Sequence, residues 1–160
     1  MYDVTVDFPK FKVGVAVRDG IVTELKYLPP SAPSVAAKNP LAEKAARQLE
    51  AYKRNPDSAF DLPVAVEGSA LQKAVWQAMC AIPRGSTRTY GDLARELGAD
   101  PRDIGQCCGD NRLPIVIPCH RVVAADGLGG FGHATGGYLL EAKRWLLAHE
   151  CPADEFRLAP

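Results

Sequence analysis

The sequence lacks the features that indicate a membrane protein, a secreted protein or a strongly charged one. Its 160 residues contain no apolar run close to the roughly 18 residues that span a bilayer, so we expect no membrane partner. The start of the chain has neither the basic nor the apolar segment of a signal peptide, which predicts a cytoplasmic protein, or a nuclear one in a eukaryote. The 19 basic and 19 acidic residues cancel, which argues against a partner held by bulk electrostatics.

The cysteine pattern excludes two further classes. The chain has five cysteines, an odd number, and no Cys-x-x-Cys pair. This disfavours a disulfide framework and a cysteine-rich zinc site, and it fits free thiols in a reducing compartment. What the chain does have is 47% hydrophobic and 24% charged residues, a balance typical of a protein with a packed core.

Residues 1–66 are predicted to form a small α/β domain. Alternating apolar residues predict three strands before residue 28, and Asp19-Gly20 predicts the hairpin turn between the second and the third. Asn39-Pro40 is typical of a helix start, with a capping side chain followed by proline at the first helical position. A further short strand is predicted over residues 62–66.

Residues 67–160 are predicted to be mainly helical. Capping residues and apolar positions at helical spacing indicate four helices, which begin after Ser69, after Thr89, after Asp100 and near Leu139. The second of these ends at Gly98, and the third follows after a tight turn and runs to about Gly109. Two short helices joined in this way are the helix-turn-helix pattern.

The second helix of that pair has an unusual composition. Gly105 lies in its middle and costs about 1 kcal/mol relative to Ala. A small residue there indicates either tight packing against another element or a helix face that a different surface approaches closely. Arg102 lies in the first turn, where the helix dipole does not favour a cation, so we expect its side chain to act outward.

Residues 115–123 carry the strongest chemical signal in the chain. Two apolar runs of strand length flank Pro118, Cys119, His120 and Arg121, and Pro118 cannot donate a ladder hydrogen bond. A thiolate is a strong nucleophile, and a neighbouring base or cation favours it. Cys119 and His120 are therefore a candidate nucleophile and base. The alternative is an unreactive buried thiol beside a structural histidine.

Several spaced motifs between residues 66 and 150 resemble the O6-alkylguanine-DNA alkyltransferases. Pro118-Cys119-His120-Arg121-Val122-Val123 stands as the active-site signature of that family. Ile82-Pro83-x-Gly85-x-Thr87-x-Thr89-Tyr90 matches the run into its helix-turn-helix, Asn111 its hinge asparagine, and residues 145–150 its closing helix. Family relatives that bind such lesions without repairing them carry Trp at the position of Cys119, so the chain is identified as a member of the transferases.

The resemblance implies an α+β fold and a function. The fold has a small N-terminal ribonuclease-H-like α/β domain, residues 1–66. A mainly helical C-terminal domain, residues 67–160, carries a winged-helix-like helix-turn-helix. The function is direct-reversal DNA repair, in which a methyl or larger alkyl group moves irreversibly from O6-alkylguanine to the protein's own cysteine. Preferred alkyl size and activity on O4-alkylthymine stay open.

The chemistry of transfer predicts one turnover and no cofactor, because no nearby group can reverse a thioether. Some family members hold zinc in the N-terminal domain. No cysteine precedes Cys80 and no histidine precedes His120 in this chain, so we expect no metal there. Two other readings are kept: a Cys-His hydrolase that turns over repeatedly, and a non-catalytic helix-turn-helix module that only binds DNA.

The resemblance also implies catalytic roles. Cys119 is the nucleophile, His120 its base and Glu150 the anion that orients the imidazolium. Neighbouring side chains in an extended segment point to opposite faces, so we expect a water between Cys119 and His120 rather than a direct bond. The hydrogen-bonding groups around the guanine and the turn are expected to be the Tyr90 hydroxyl, the Thr135 hydroxyl, the Asn111 side chain and the Val122 carbonyl. Counting from Cys119 selects His133 in place of Thr135.

The implied partner is double-stranded DNA that contains O6-alkylguanine. The helix-turn-helix enters the minor groove, the damaged base leaves the stack, and Arg102 fills the space it vacates. Removing Arg102 should weaken flipping more than thiol reactivity. The remaining expected contacts to substrate or DNA are Gly105, Cys108 and Arg121. A monomer is expected, and cooperative binding on DNA stays open.

Overall fold

The N-terminal half folds as a sheet with one covering helix. The computed structural model describes residues 1–129 and 137–151. Strands β1 (Val4–Phe8), β2 (Phe11–Arg18) and β3 (Ile21–Leu28) form an antiparallel sheet in the order β1-β2-β3. Helix α1 (Pro40–Arg54) packs against it, and its first turn is capped by Asn39, whose Oδ1 accepts from the Ala42 N–H at 2.8 Å.

The short strand predicted over residues 62–66 is wrong. That segment forms an isolated parallel bridge between Val22 and Val64. The apolar alternation there reflects single side chains that reach the core, because Leu62 and Val64 pack against the main hydrophobic cluster without a continuous ladder.

The C-terminal half consists of helices and one small parallel strand pair. Its elements are α2 (Ala70–Cys80), β4 (Arg88–Thr89), α3 (Tyr90–Leu97), α4 (Pro101–Gly109), β5 (Val122–Val123) and α5 (Tyr138–Glu150). Capping boxes start α2 and α3, and Gly98 ends α3 in the left-handed conformation with φ 64°. The α+β class and the helix-turn-helix of α3 and α4 are thus confirmed.

The apolar run before the cysteine has the length of a strand but does not form one. Ile115 has a positive φ of 74°, and Ile117 accepts from the Cys119 N–H while donating to the Leu113 carbonyl, so these groups close turns instead of a ladder. Cys119–Arg121 form a single 3-10 turn, and within the two flanking apolar runs the strand pairing is that of Val122–Val123 with β4. Pro118 at the centre removes the donor that an extended pairing would need.

One hydrophobic cluster runs through both halves of the described chain. Trp145 of α5 packs edge-on against Phe8 and Phe11 of the N-terminal sheet, with ring centroids 5.4 and 6.0 Å apart. A division of the chain near residue 66 stays a prediction, since the two halves share this core. No helix within residues 1–129 or 137–151 has the length and hydropathy to span a bilayer.

Candidate active site

Asn111 ties the end of α4 to the turn that carries the cysteine. Its Nδ2 donates to the Ile117 carbonyl at 2.8 Å, and its Oδ1 accepts from the Leu113 N–H at 2.9 Å. The same side chain acts to lower the pKa of the Cys119 thiol. A side chain that satisfies backbone groups on both sides fixes a turn that has no ladder of its own. This is the position expected of the hinge asparagine.

Cys119 is buried and protonated at neutral pH. Burial raises the pKa of its thiol to about 11, against which the Asn111 hydrogen bond and the charge of Lys143 act to lower it. Both influences stabilise a thiolate once it forms. A base is therefore required to produce the nucleophile at physiological pH.

His120 and Glu150 form a buried pair next to that thiol. His120 Nε2 lies 2.8 Å from Glu150 Oε2, and the two side chains are 0% and 1% exposed. Burial lowers the pKa of His120, although Glu150 opposes the shift, so the imidazole is neutral at pH 7. Burial alone would raise the pKa of Glu150, but hydrogen bonds from His120 and Arg121 hold it well below its usual range. The carboxylate is therefore ionised beside a neutral base.

Arg121 clamps the carboxylate from the other side. Its Nε and Nη2 reach Oε1 and Oε2 of Glu150 at 2.8 and 3.0 Å, and its Nη1 donates to the Ile82 carbonyl at 2.7 Å. These contacts hold the carboxylate in place, and contact of Arg121 with substrate or DNA stays a prediction. They use three of the five N–H donors of the guanidinium, whose side chain is 14% exposed.

A water between Cys119 and His120 was predicted from an extended backbone, and the backbone here is not extended. The segment is a 3-10 turn and not extended, so the alternation argument does not apply. His120 Nδ1 is nevertheless buried with no hydrogen-bond partner among residues 1–129 and 137–151. Buried ring nitrogens are normally satisfied, so the partner of this atom is a group outside the described residues, such as a water molecule.

Lys143 is a buried lysine near the thiol that the sequence motifs did not indicate. It is 0% exposed, and its Nζ lies 5.8 Å from the ring centroid of Tyr90. Burial lowers the pKa of Lys143 to about 8, and Cys119 and Cys108 raise it as thiolates. The signal was present: Lys143 is four residues after Leu139 and three before Leu146, on the apolar stripe of α5.

A cavity of about 240 Å³ reaches the thiol. Cys108, Asn111 and Cys119 line one part of it, and Tyr138 lines another. Tyr90 lies near Cys108 and Cys119, which line this cavity and influence the pKa of its hydroxyl. Burial raises the pKa of Tyr90 well above its usual range, so the hydroxyl remains a donor.

Val122 is fully buried in β5. Within the described residues, no cluster of three His, Cys, Asp or Glu could hold a metal.

The exposed face of α4 decides between the two readings of Gly105. A Cβ at Gly105 would meet nothing within 4 Å, so the tight-packing reading is wrong. Arg102 lies on the same short helix with a side chain 93% exposed. Thr135 and His133 fall outside the described residues.

The chain is similar to known DNA methyltransferases in sequence and in structure. A family model described as the 6-O-methylguanine DNA methyltransferase DNA-binding domain matches residues 70–151. The chain is 40% identical to the methylated-DNA–protein-cysteine methyltransferase of Mycolicibacterium paratuberculosis, over 91% of this chain and 90% of that one. It is 45% identical to the Methanosarcina barkeri protein of the same description over 109 residues, 67% of this chain and 66% of the relative. The crystal structure of Mycobacterium tuberculosis OGT in complex with DNA has a TM-score of 0.71 at 33% identity, with 94% of each chain covered.

Proposed function

Because the chain belongs to the methylated-DNA–protein-cysteine methyltransferase family, we propose that Cys119 is the residue that accepts the alkyl group. The protein is a DNA repair methyltransferase that moves an alkyl group from O6-methylguanine in DNA to its own cysteine. The observation that carries the assignment is the geometry around this thiol. Cys119 is followed directly by His120, whose Nε2 lies 2.8 Å from the buried carboxylate of Glu150.

The proposed proton path begins at the thiol. A water bridges Cys119 to Nδ1 of His120, which accepts the proton as the thiolate attacks the alkyl carbon. The S–C bond forms, the C–O6 bond breaks, and the bonding electron pair leaves with the guanine oxygen. Glu150 stabilises the imidazolium through the Nε2 contact. This role is supported by the charge states of the pair, since the Glu150 carboxylate is ionised while the His120 imidazole is neutral.

Donors around the cavity balance the charge that develops. The Tyr90 hydroxyl, kept protonated by burial, donates to the departing guanine, and the Val122 carbonyl accepts its amino group. Lys143 and Asn111 stabilise the thiolate before attack. Thr135 stays a proposed second donor to the base.

DNA is proposed to bind at the outer face of α4. A damaged base inside the stack cannot reach a buried thiol, so it must be everted into the cavity. The open surface at Gly105 lets the backbone of a narrow minor groove approach, and the exposed side chain of Arg102 can occupy the vacated stack.

Arg102→Ala is expected to reduce base eversion several-fold more than it reduces the reaction of Cys119 with free O6-benzylguanine. Eversion is measured by the fluorescence of 2-aminopurine placed at the lesion position. Equal losses of base eversion and of thiol reactivity would contradict this role of Arg102.

Stoichiometry separates a transferase from a Cys-His hydrolase. A duplex with one O6-methylguanine is titrated with protein, and unmodified guanine is measured at completion. We expect repair to stop at one lesion per molecule of protein, because the thioether is not resolved. Continued conversion beyond one equivalent would favour the hydrolase, and binding without conversion would favour the DNA-binding module.

A further inference from the structure

The Glu150 carboxylate has a contact from the N-terminal half of the chain. The hydroxyl of Tyr52, in the last turn of α1, donates to Glu150 Oε2 at 2.6 Å across 98 residues of sequence. Tyr52 is 2% exposed and Glu150 1%. The oxygen that Tyr52 contacts is the one that faces His120 Nε2 at 2.8 Å. Tyr52 and His120 therefore meet at a single oxygen atom.

Further contacts hold Tyr52 in place. Its backbone carbonyl lies 2.6 Å from Nε2 of His149, the residue before Glu150. The His149 ring stacks on Trp145 with centroids 4.5 Å apart, and the Tyr52 ring packs against Phe60 at 5.7 Å. The end of α1 and the end of α5 are thus joined at two successive residues. A tyrosine fixed at its backbone and at its ring presents its hydroxyl in one direction only.

We propose that Tyr52 is a positioning residue for alkyl transfer, whose hydroxyl holds Oε2 of Glu150 against Nε2 of His120. Hydrogen bonds to an ionised oxygen are short and directional, and this one restricts rotation of the carboxylate about its terminal bond. Arg121 donates to both oxygens of Glu150, while Tyr52 donates to Oε2 from helix α1 of the N-terminal half. The N-terminal half thereby contributes a side chain to the proton relay. This inference rests on the proposed function of Cys119, His120 and Glu150.

The expected sign of a pH effect follows from the charges around the relay. His120 is influenced by Glu150, Arg121 and Lys143. Glu150 is surrounded by His120, Arg121 and Tyr52, with Tyr27 close by and the Arg84 guanidinium on its backbone carbonyl at 2.9 Å. Removing the Tyr52 hydroxyl takes one donor from Oε2, which leaves that oxygen more basic toward the imidazole. Protonation of His120 then begins at higher pH, so the acid limb of the transfer rate moves upward.

The test is Tyr52→Phe, which removes one oxygen atom from the full-length protein. The single-turnover rate constant on an O6-methylguanine duplex is measured from pH 5.5 to 9 with saturating protein, together with duplex affinity. We expect a rate constant at least about fivefold lower, because a small displacement of a catalytic group slows the reaction strongly. Duplex affinity should stay within twofold of wild type. The acid limb of the pH profile should move to higher pH. Leu49→Val, three residues earlier on α1 and equally buried, controls for lost stability and should keep the wild-type limb.

A double mutant shows whether Tyr52 acts through Glu150. If it does, Tyr52→Phe in a Glu150→Gln background slows transfer no further than Glu150→Gln alone. Additive losses would overturn the inference, as would a Tyr52→Phe rate and pH limb that match those of wild type or of Leu49→Val. Wild-type protein that transfers no alkyl group in the same assay would instead overturn the proposed function, so the two failures are distinguishable.

Discussion

Glu150→Gln is expected to slow alkyl transfer by about 10²–10³-fold, the lower part of the range for general acid–base catalysis. The amide keeps the shape of the carboxylate but cannot stabilise an imidazolium at His120, which Glu150 contacts at 2.8 Å. Rapid-quench measurement of O6-methylguanine loss, with protein in excess over duplex, gives the rate constant directly. The partly buried guanidinium of Arg121 also loses its counter-ion, so we expect lower stability, by up to about 3–5 kcal/mol. Rates are therefore compared below the melting transition of the variant.

Glu141→Gln is the matched control for that substitution. Glu141 lies on the same helix with a side chain 44% exposed, where it pairs with Lys10 at 3.4 Å. It should transfer at the wild-type rate, because exposed ion pairs contribute little. A Glu150→Gln protein that is folded and reacts within threefold of wild type would show that the carboxylate has no part in proton transfer.

Lys143→Met should give the second large effect, a loss of about tenfold or more in transfer rate at pH 7.5. The ammonium of Lys143 lowers the pKa of Cys119, and each unit of pKa changes the thiolate fraction about tenfold. The measurement is the pH dependence of single-turnover transfer, whose rise with thiolate should move to higher pH. Stability should not fall at pH 7, because folding lowers the pKa of Lys143 to about 8 and so disfavours the charged form.

Arg144→Met controls for the removal of one positive charge from α5. Arg144 is the next residue and is exposed, so its charge is screened from the thiol. We expect wild-type kinetics from it. A Lys143→Met protein with unchanged rate and unchanged pH dependence would remove Lys143 from the account and leave Asn111 as the group that stabilises the thiolate.

Local signals made much of the fold predictable. The caps at Asn39, Ser69 and Thr89 and the glycine at residue 98 each act within a few residues, and each ends or begins a helix as expected. The segment before Cys119 was not predictable in the same way. Its apolar residues suit a strand, but Pro118 and the Asn111 side chain redirect its backbone hydrogen bonds into turns.

The candidate site likewise has a part that local sequence predicts and a part that only the tertiary structure shows. Cys119 and His120 are adjacent in sequence and were therefore predictable as a pair. Glu150 was predictable from the resemblance of residues 145–150 to the closing helix of the family. The contacts that tune them join distant parts of the chain: Tyr52 to Glu150 across 98 residues, and Arg121 to Glu150 across 29. Nothing in the local pattern around Tyr52 distinguishes it from a core tyrosine of an amphipathic helix. Only the packing of α1 against α5 gives its hydroxyl a partner.

The acceptor atom can be tested by intact mass spectrometry. The protein is mixed with one equivalent of an O6-methylguanine duplex, with Cys119→Ser run in parallel and reduced thiols verified beforehand. We predict a single methyl increment, assigned by peptide mapping to the sulfur of residue 119 and absent from the serine variant. An unmodified protein beside unrepaired duplex, or a methyl group on Cys108 or any other residue, would contradict the account.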